Sequence, residues 1–196
     1  KPAGLTTQRT RVSAHRNLEA LLRAALGDPD LRAVHRLDRD TSGVVLFARD
    51  RASTAALHAQ FRERSVDKRY LARVAPAPRE PAFRADGALE RVPAPSTEPA
   101  PLVFRVGDGP DARPSVTDFT VLRRGADDAL LEARPLTGRT HQIRVHLADR
   151  GHPILGDVLY GDGASAPRLL LHAARLTLEI GGRVTTLRCP AAPAFD

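Results

Sequence analysis

The segment from Arg175 to Arg188 reads RLTLEIGGRVTTLR, two strand-like runs joined by Gly181-Gly182. Paired glycines reach the positive φ angles that a tight antiparallel turn requires, which makes this the sharpest hairpin signal in the chain. Working back from it, Val116–Leu122 and Ala129–Ala133 read as a second hairpin around the loop Gly125-Ala126-Asp127-Asp128. Lys68–Val74 alternates, with Tyr70, Ala72 and Val74 on one face and Arg69, Leu71 and Arg73 on the other. Val44-Val45-Leu46-Phe47 reads as a short buried strand after the turn residues Asp40-Thr41-Ser42-Gly43, so Asp38 is expected in a loop leading into it.

Three stretches carry a helical period instead. Arg16–Ala25 aligns Leu18, Leu21, Leu22 and Ala25 and stops at Gly27. Ala52–Phe61 aligns Ala52, Ala55, Ala56 and Ala59 beside Leu57 and Phe61, with Asp50 or Ser53 as the cap. Thr140–Arg150 sets Ile143 and Leu147 four apart, with Thr137 or Thr140 as the cap and Gly151 and Pro153 as the stop. Strands outnumber helices, and hairpins connect them. The expected class is therefore α+β, a mainly antiparallel mixed sheet with flanking helices. No fixed repeat appears, which excludes solenoids and propellers. Prolines recur from Ala75 to Pro114, so residues 76–114 are expected to be an excursion outside the core of a single domain spanning 1–196.

With 196 residues, the chain is long enough to bury roughly 70% of its unfolded surface without metals or disulfides. One cysteine, Cys189, rules out an internal disulfide and favours a reducing compartment, expected to be the cytoplasm. Apolar runs such as Val44–Ala48 fall far short of a membrane span. Thirty Lys and Arg against 23 Asp and Glu leave a net charge of +7. Lysine occurs only at Lys1 and Lys68, an arginine bias that with abundant Ala and Pro looks like GC-rich coding. The positive charge itself still draws polyanions, which makes nucleic acid the leading partner class. KPAGL at Lys1–Leu5 is a Pro-Gly turn of the kind that follows a strand, and methionine is absent, so a preceding segment is expected.

Several chemistries find no support. There is no phosphate-cradling glycine loop, no dinucleotide fingerprint, and Ser42 is not in a nucleophile elbow. His141 and His146 are five apart, on different sides of a helix, and the lone cysteine offers no ligand pair, so no metal is expected. His35, His141, His146 and His172 are better read as structural or RNA-contacting.

What remains is a set of distinctive strings: HRLDRDTSG from His35, KRYLA from Lys68, GRTHQIRVHL from Gly138, GHPILGDVLYG from Gly151 and LLLHA from Leu169. In this order they resemble the RluA-type pseudouridine synthases, and the likeness runs from Lys1 to the closing CPAAPAFD outside the proline-rich stretch. The resemblance implies that uridine in ribosomal or transfer RNA is isomerised to pseudouridine, without a cofactor, in an active-site cleft crossing the sheet. The glycosidic bond from ribose C1′ to N1 is broken and remade from C1′ to C5.

The resemblance places the catalytic aspartate at Asp38, as nucleophile or as base. Either role needs an ionised carboxylate beside the sugar and base, where burial would raise its pKa. Arg139 matches the arginine that pairs with it, and a guanidinium can hold both charge and geometry through two hydrogen bonds. Tyr70 matches the tyrosine that stacks on the target base. Asp40 is read as a turn-capping residue. Arg36 has two readings: filling the gap left by the flipped nucleotide, or pairing with Asp157 or another carboxylate. The expected substrate contacts are His35, Arg36, Leu37, Thr41, Gly43, His141, Arg144, Leu170 and Leu171, with His141, Arg144 and His146 facing phosphates. Leu170 and Leu171 read equally as core. Lys1 and Pro2 are expected to pack near the Asp38 loop. RNA is the expected partner, and the chain is expected to act as a monomer. Two rivals stand beside this reading: a non-catalytic RNA-binding or remodelling module, and a glycosylase releasing free uracil.

Overall fold

The computed structural model describes residues 1–10, 13, 16–92 and 101–195. The elements of the first half are α1 (Leu18–Leu26), β1 (Arg32–Ala33), β2 (Ser42–Gly43), β3 (Phe47–Ala48), α2 (Arg51–Glu63) and β4 (Asp67–Val74). They continue with β5 (Ala82–Ala85), β6 (Leu89–Val92), β7 (Val103–Val106), β8 (Thr117–Arg124), β9 (Ala129–Pro135), α3 (Gln142–Asp149), β10 (Leu171–Ile180) and β11 (Arg183–Arg188). This is the expected α+β class. The chain divides into two compact units, Lys1–Lys68 with Ala173–Pro190, and Arg69–His172 with Ala191–Asp196.

In the first unit, α1 begins where the Asn17 side chain accepts the Ala20 N–H at 3.0 Å and ends at Gly27 in the left-handed conformation. Glu19 binds Arg23 one turn on and accepts the Ala33 N–H at 2.8 Å, fastening the helix to β1. Asp50, not Ser53, caps α2 by accepting the Ser53 N–H at 2.7 Å. Leu57 of α2 joins Val34, Ala48, Val66, Leu176 and Leu178 in the core of this unit. The β10–β11 hairpin forms with the register centred on Gly181-Gly182, both at positive φ. The Val44–Phe47 strand does not form as expected. Instead β2 ends at Gly43, β3 starts at Phe47, and Val44–Leu46 run between them without strand geometry. The regular strand stops at Gly43, whose φ of 123° only glycine adopts without strain and where a Cβ would overlap the Ala173 backbone, although the Val44 N–H still donates to the Ala173 carbonyl at 2.9 Å.

In the second unit, antiparallel strands run in the order β4, β9, β8, β5. Ala72, Val74, Phe119, Leu131 and Ala133 face Ile143 and Leu147 of α3, and Leu169–Leu171 and Phe195 close the same core. Residues 76–114 depart from expectation. β5 pairs with β8 from Ala82↔Thr120 to Ala85↔Thr117, β6 and β7 form a hairpin, and Ala85 and Leu89 are buried. The prolines Pro76, Pro78 and Pro81 precede β5, where they cost the ladder no hydrogen bond, while the short apolar pieces that follow them pair and fill the core. Residues 93–100 of this stretch lie outside the described residues.

Candidate active site

The sequence-predicted residues fall into two groups, one in each unit. In the first, Leu37 is buried and Thr7, itself buried, clasps it: the Thr7 hydroxyl accepts the Leu37 N–H and donates to the Leu37 carbonyl, both at 3.1 Å. The next residue, Asp38, is half-buried and opens a turn closed by the Thr41 N–H donating to the Asp38 carbonyl at 3.2 Å. Thr41 and Gly43 are buried behind this turn. Asp40 is held locally by the Arg39 guanidinium at 3.0 Å, in keeping with its reading as a turn residue. Arg36 is exposed beside Asp38.

Two further residues shape this loop. The Lys1 ammonium donates to the carbonyls of Leu5 at 2.6 Å, Arg39 at 2.8 Å and Pro2 at 3.0 Å. Burial lowers its pKa to about 8, against the opposing pull of Asp40 and Asp38. Lys1 thus ties the far side of the Asp38 turn to the KPAGL segment and puts a cation in the field of both carboxylates. His35 stacks on Phe61, with ring centres 4.7 Å apart, and its Nε2 accepts the Leu46 N–H at 2.9 Å. Burial, helped by the Lys68 charge, lowers the His35 pKa to about 4. His35 is therefore a neutral brace under the loop.

In the second unit, Tyr70 stands opposite Ala133 on β4, half-buried on the face that carries Ala72 and Val74. Arg139 lies in the loop between β9 and α3, half-buried, with Nε donating to the Pro114 carbonyl at 3.3 Å. Neither Thr137 nor Thr140 caps α3. Its N-cap is His141, at φ 57° in the left-handed region, without a side-chain cap bond. Thr137 instead turns inward, donating to Gln142 Oε1 at 2.7 Å and accepting the Val116 N–H at 3.1 Å. His141 Nδ1 bonds the Tyr160 hydroxyl at 2.8 Å, and that hydroxyl also accepts the Phe104 N–H at 3.0 Å. The strained backbone at His141 is thereby pinned to β7.

Arg144 and His146, expected to face phosphates, are interior residues. Arg144 is 3% exposed and grips Asp157 through Nε at 2.8 Å and an Nη at 2.7 Å. Burial pushes the Asp157 carboxyl up, but Arg144 and the N–H groups of Leu159 and Tyr160 outweigh it and hold the pKa below the ordinary carboxylate value. Asp157 thus serves Arg144 rather than Arg36. His146, 1% exposed, is bonded to Ser115, Thr117 and the Gly87 carbonyl, and burial lowers its pKa. Leu170 and Leu171 are buried core residues, the backbone of Leu170 bridging Arg73 and Leu155.

Sequence reasoning passed over Gln142 and Tyr160, although both stand inside the quoted strings; a glutamine in a helix and a tyrosine in a loop carry no pattern of their own. An open groove of about 730 Å³ in the first unit is lined by Arg23, Arg32, Arg49 and Arg51 but also by Glu19, Asp30 and Asp50, a near-balance that does not mark an anion site. Among the described residues no His, Cys, Asp or Glu cluster is arranged to hold a metal, and no helix is long and apolar enough to cross a membrane.

Comparison with known proteins shows which family the chain belongs to. The sequence pattern of the family described as RNA pseudouridylate synthase matches residues 1–149, and the chain belongs to that family, whose members isomerise uridine in RNA. The chain is 37% identical over 203 aligned positions to the dual-specificity RNA pseudouridine synthase RluA of Escherichia coli K12, covering 97% of this chain and 87% of that protein. It is 42% identical over 154 positions to the ribosomal large subunit pseudouridine synthase C of Vibrio cholerae, covering 74% of this chain and 46% of that protein. Among solved structures, human RNA pseudouridylate synthase domain containing 4 superposes with a TM-score of 0.79 at 28% identity, over 100% of this chain and 85% of the human one. Human RNA pseudouridylate synthase domain containing 1 does so at 0.77 and 28%, over 98% and 86%.

Proposed function

We propose that this chain converts a uridine of ribosomal or transfer RNA to pseudouridine in the cytoplasm, with Asp38 as the catalytic carboxylate and without a cofactor. The observation that carries this reading is the family match through residues 1–149, which takes in Asp38, Tyr70 and Arg139 within the strings that define the resemblance. Relatives named for ribosomal RNA and for dual specificity support the substrate class.

In this reading the target nucleotide leaves its stack, and exposed Arg36 fills the vacated place. Asp38 acts at the nucleotide as an ionised group, supported by the Arg139 guanidinium. The bond between C1′ and N1 breaks, the uracil turns against the Tyr70 ring, and C1′ bonds to C5. N1 gains a proton and C5 loses one, so the atoms balance without a second reactant.

The test is Asp38→Asn. Product formation, followed by release of tritium from C5-labelled uridine in transcript RNA, should vanish, while RNA affinity stays within about threefold because phosphate contacts supply most of it. Turnover at the normal rate in that variant would refute the assignment. Release of free uracil by the unaltered protein would identify a glycosylase instead.

A further inference from the structure

Gln142 makes all four hydrogen bonds that its amide permits, and it is 3% exposed. Oε1 accepts the Arg139 backbone N–H at 3.0 Å and the Thr137 hydroxyl at 2.7 Å. Nε2 donates to the Val116 carbonyl at 3.0 Å and the Thr117 hydroxyl at 3.0 Å. The orientation of the amide is therefore not free, since a flip would set its NH₂ against the Arg139 N–H and its oxygen against the Val116 carbonyl. The Gln142 backbone N–H closes the circle by donating to the Arg139 carbonyl at 3.2 Å. One residue thus holds both backbone groups of Arg139.

The other end of the amide is anchored as firmly. With its oxygen receiving the Nε2 bond, the Thr117 hydroxyl has its proton for His146 Nδ1, 3.0 Å away. That leaves the His146 Nε2 proton for Ser115 Oγ at 2.8 Å or the Gly87 carbonyl at 3.1 Å. The buried histidine stays neutral, so each donor in the chain meets an acceptor and the direction is set from Gln142 through to Gly87. Such a chain holds its members more stiffly than separate bonds would.

We propose that Gln142 is a positioning residue for the reaction, fixing the place of the Arg139 guanidinium by clamping the Arg139 backbone to the start of β8. This rests on the role given to Arg139 under the proposed function. An arginine side chain is long and flexible, and its reach is set by where its Cα is held. A small misplacement by a residue remote from the chemistry costs up to roughly 100-fold in rate.

The experiment is a double-substitution cycle with Gln142→Met and Arg139→Lys, read as single-turnover rates at saturating RNA, with RNA affinity and thermal unfolding measured for each variant. Gln142→Met alone should lose roughly 10- to 100-fold in rate with little change in RNA affinity. In the Arg139→Lys background it should cost less than about threefold, because there is no guanidinium left to misplace. Equal losses in both backgrounds would show a general structural role and overturn the inference alone. Arg139→Lys turning over at the normal rate would overturn the role of Arg139 and this inference with it. Should Gln142→Met fail to fold, Thr137→Val removes one Oε1 partner at nearly constant volume and is read in the same cycle, with a smaller loss expected and the same two refuting outcomes.

Discussion

Replacing Arg144 with Met separates a structural arginine from an RNA-contacting one. The Asp157 side chain has no exposed surface and that of Arg144 is 4% exposed, so the substitution leaves a buried carboxylate with only the Leu159 and Tyr160 N–H groups. Breaking a buried pair by removing one partner costs about 3–5 kcal/mol. Against a total stability of about 5–15 kcal/mol this is a large fraction of what keeps a domain folded. For a chain of this size it corresponds to a fall in Tm of roughly 6–20 °C. The lost packing of the guanidinium over the Tyr160 ring, 5.0 Å from its centre, acts in the same direction. The assays are thermal unfolding and RNA binding across a salt series, below the new Tm. Because the side chain is enclosed, the salt dependence of binding should be unchanged, whereas loss of a phosphate contact would reduce its slope by roughly 0.7–0.9. Substituting both residues, Arg144→Met with Asp157→Leu, should recover much of the stability, since no buried charge is left over. An unchanged Tm together with a shallower salt slope would contradict the buried role and return Arg144 to the RNA.

Other perturbations act on neighbouring residues. His35 is neutral in the folded chain down to about pH 4 but protonates near 6.5 when unfolded. The unfolded state binds the extra proton between those values, so stability should decline as pH falls from about 6.5 to 4, by at most about 3 kcal/mol. Denaturant midpoints should show this decline, and His35→Gln should flatten it; an equal decline in the variant would count against the assignment. Gly43→Ala forces a Cβ into the Ala173 backbone at a φ of 123°, and roughly 3 kcal/mol of destabilisation with a displaced Asp38 turn should appear as a lower Tm and slower turnover. A variant with unaltered Tm and rate would show that the close approach is not needed. Arg139→Lys should slow turnover by at least about tenfold at unchanged RNA affinity, because an ammonium cannot make two parallel hydrogen bonds.

Much of the candidate site was legible from strings of residues, and some of it was misread for a definite reason. Arg144 and His146 look like surface cations when read along the chain, because basic residues on a short helix normally face water. In the structure every residue of α3 from Gln142 to Leu147 is buried, and each polar member is matched by a partner distant in sequence: Asp157 for Arg144, Ser115 and Thr117 for His146, Val116 and Thr117 for Gln142. Those partners cannot be foreseen from spacing. The resemblance supplied Asp38, Tyr70 and Arg139 as a set, but the supports of the loops came only with the folded structure: Thr7 and Lys1 in the first unit, Gln142 and Tyr160 in the second.

Local physics, by itself, settled the features whose energies are decided within a few residues. The α1 stop at Gly27, the start of α2 at Asp50 or Ser53 and the turn at Gly181-Gly182 depend on φ preferences and on side chains reaching the nearest backbone groups, so they are written in short stretches, and the structure chose Asp50 as the cap. The sense of the remaining elements was decided by contacts between distant segments. Val44–Leu46 has every mark of a strand, yet regular strand ends at Gly43, where close approach to Ala173 goes with a φ of 123°. The proline-rich stretch carries a sheet strand because β8 offered an edge with complementary register. Burial and hydrogen-bond satisfaction are properties of the whole packed unit, which is why tertiary structure alone could assign which charged residues look inward.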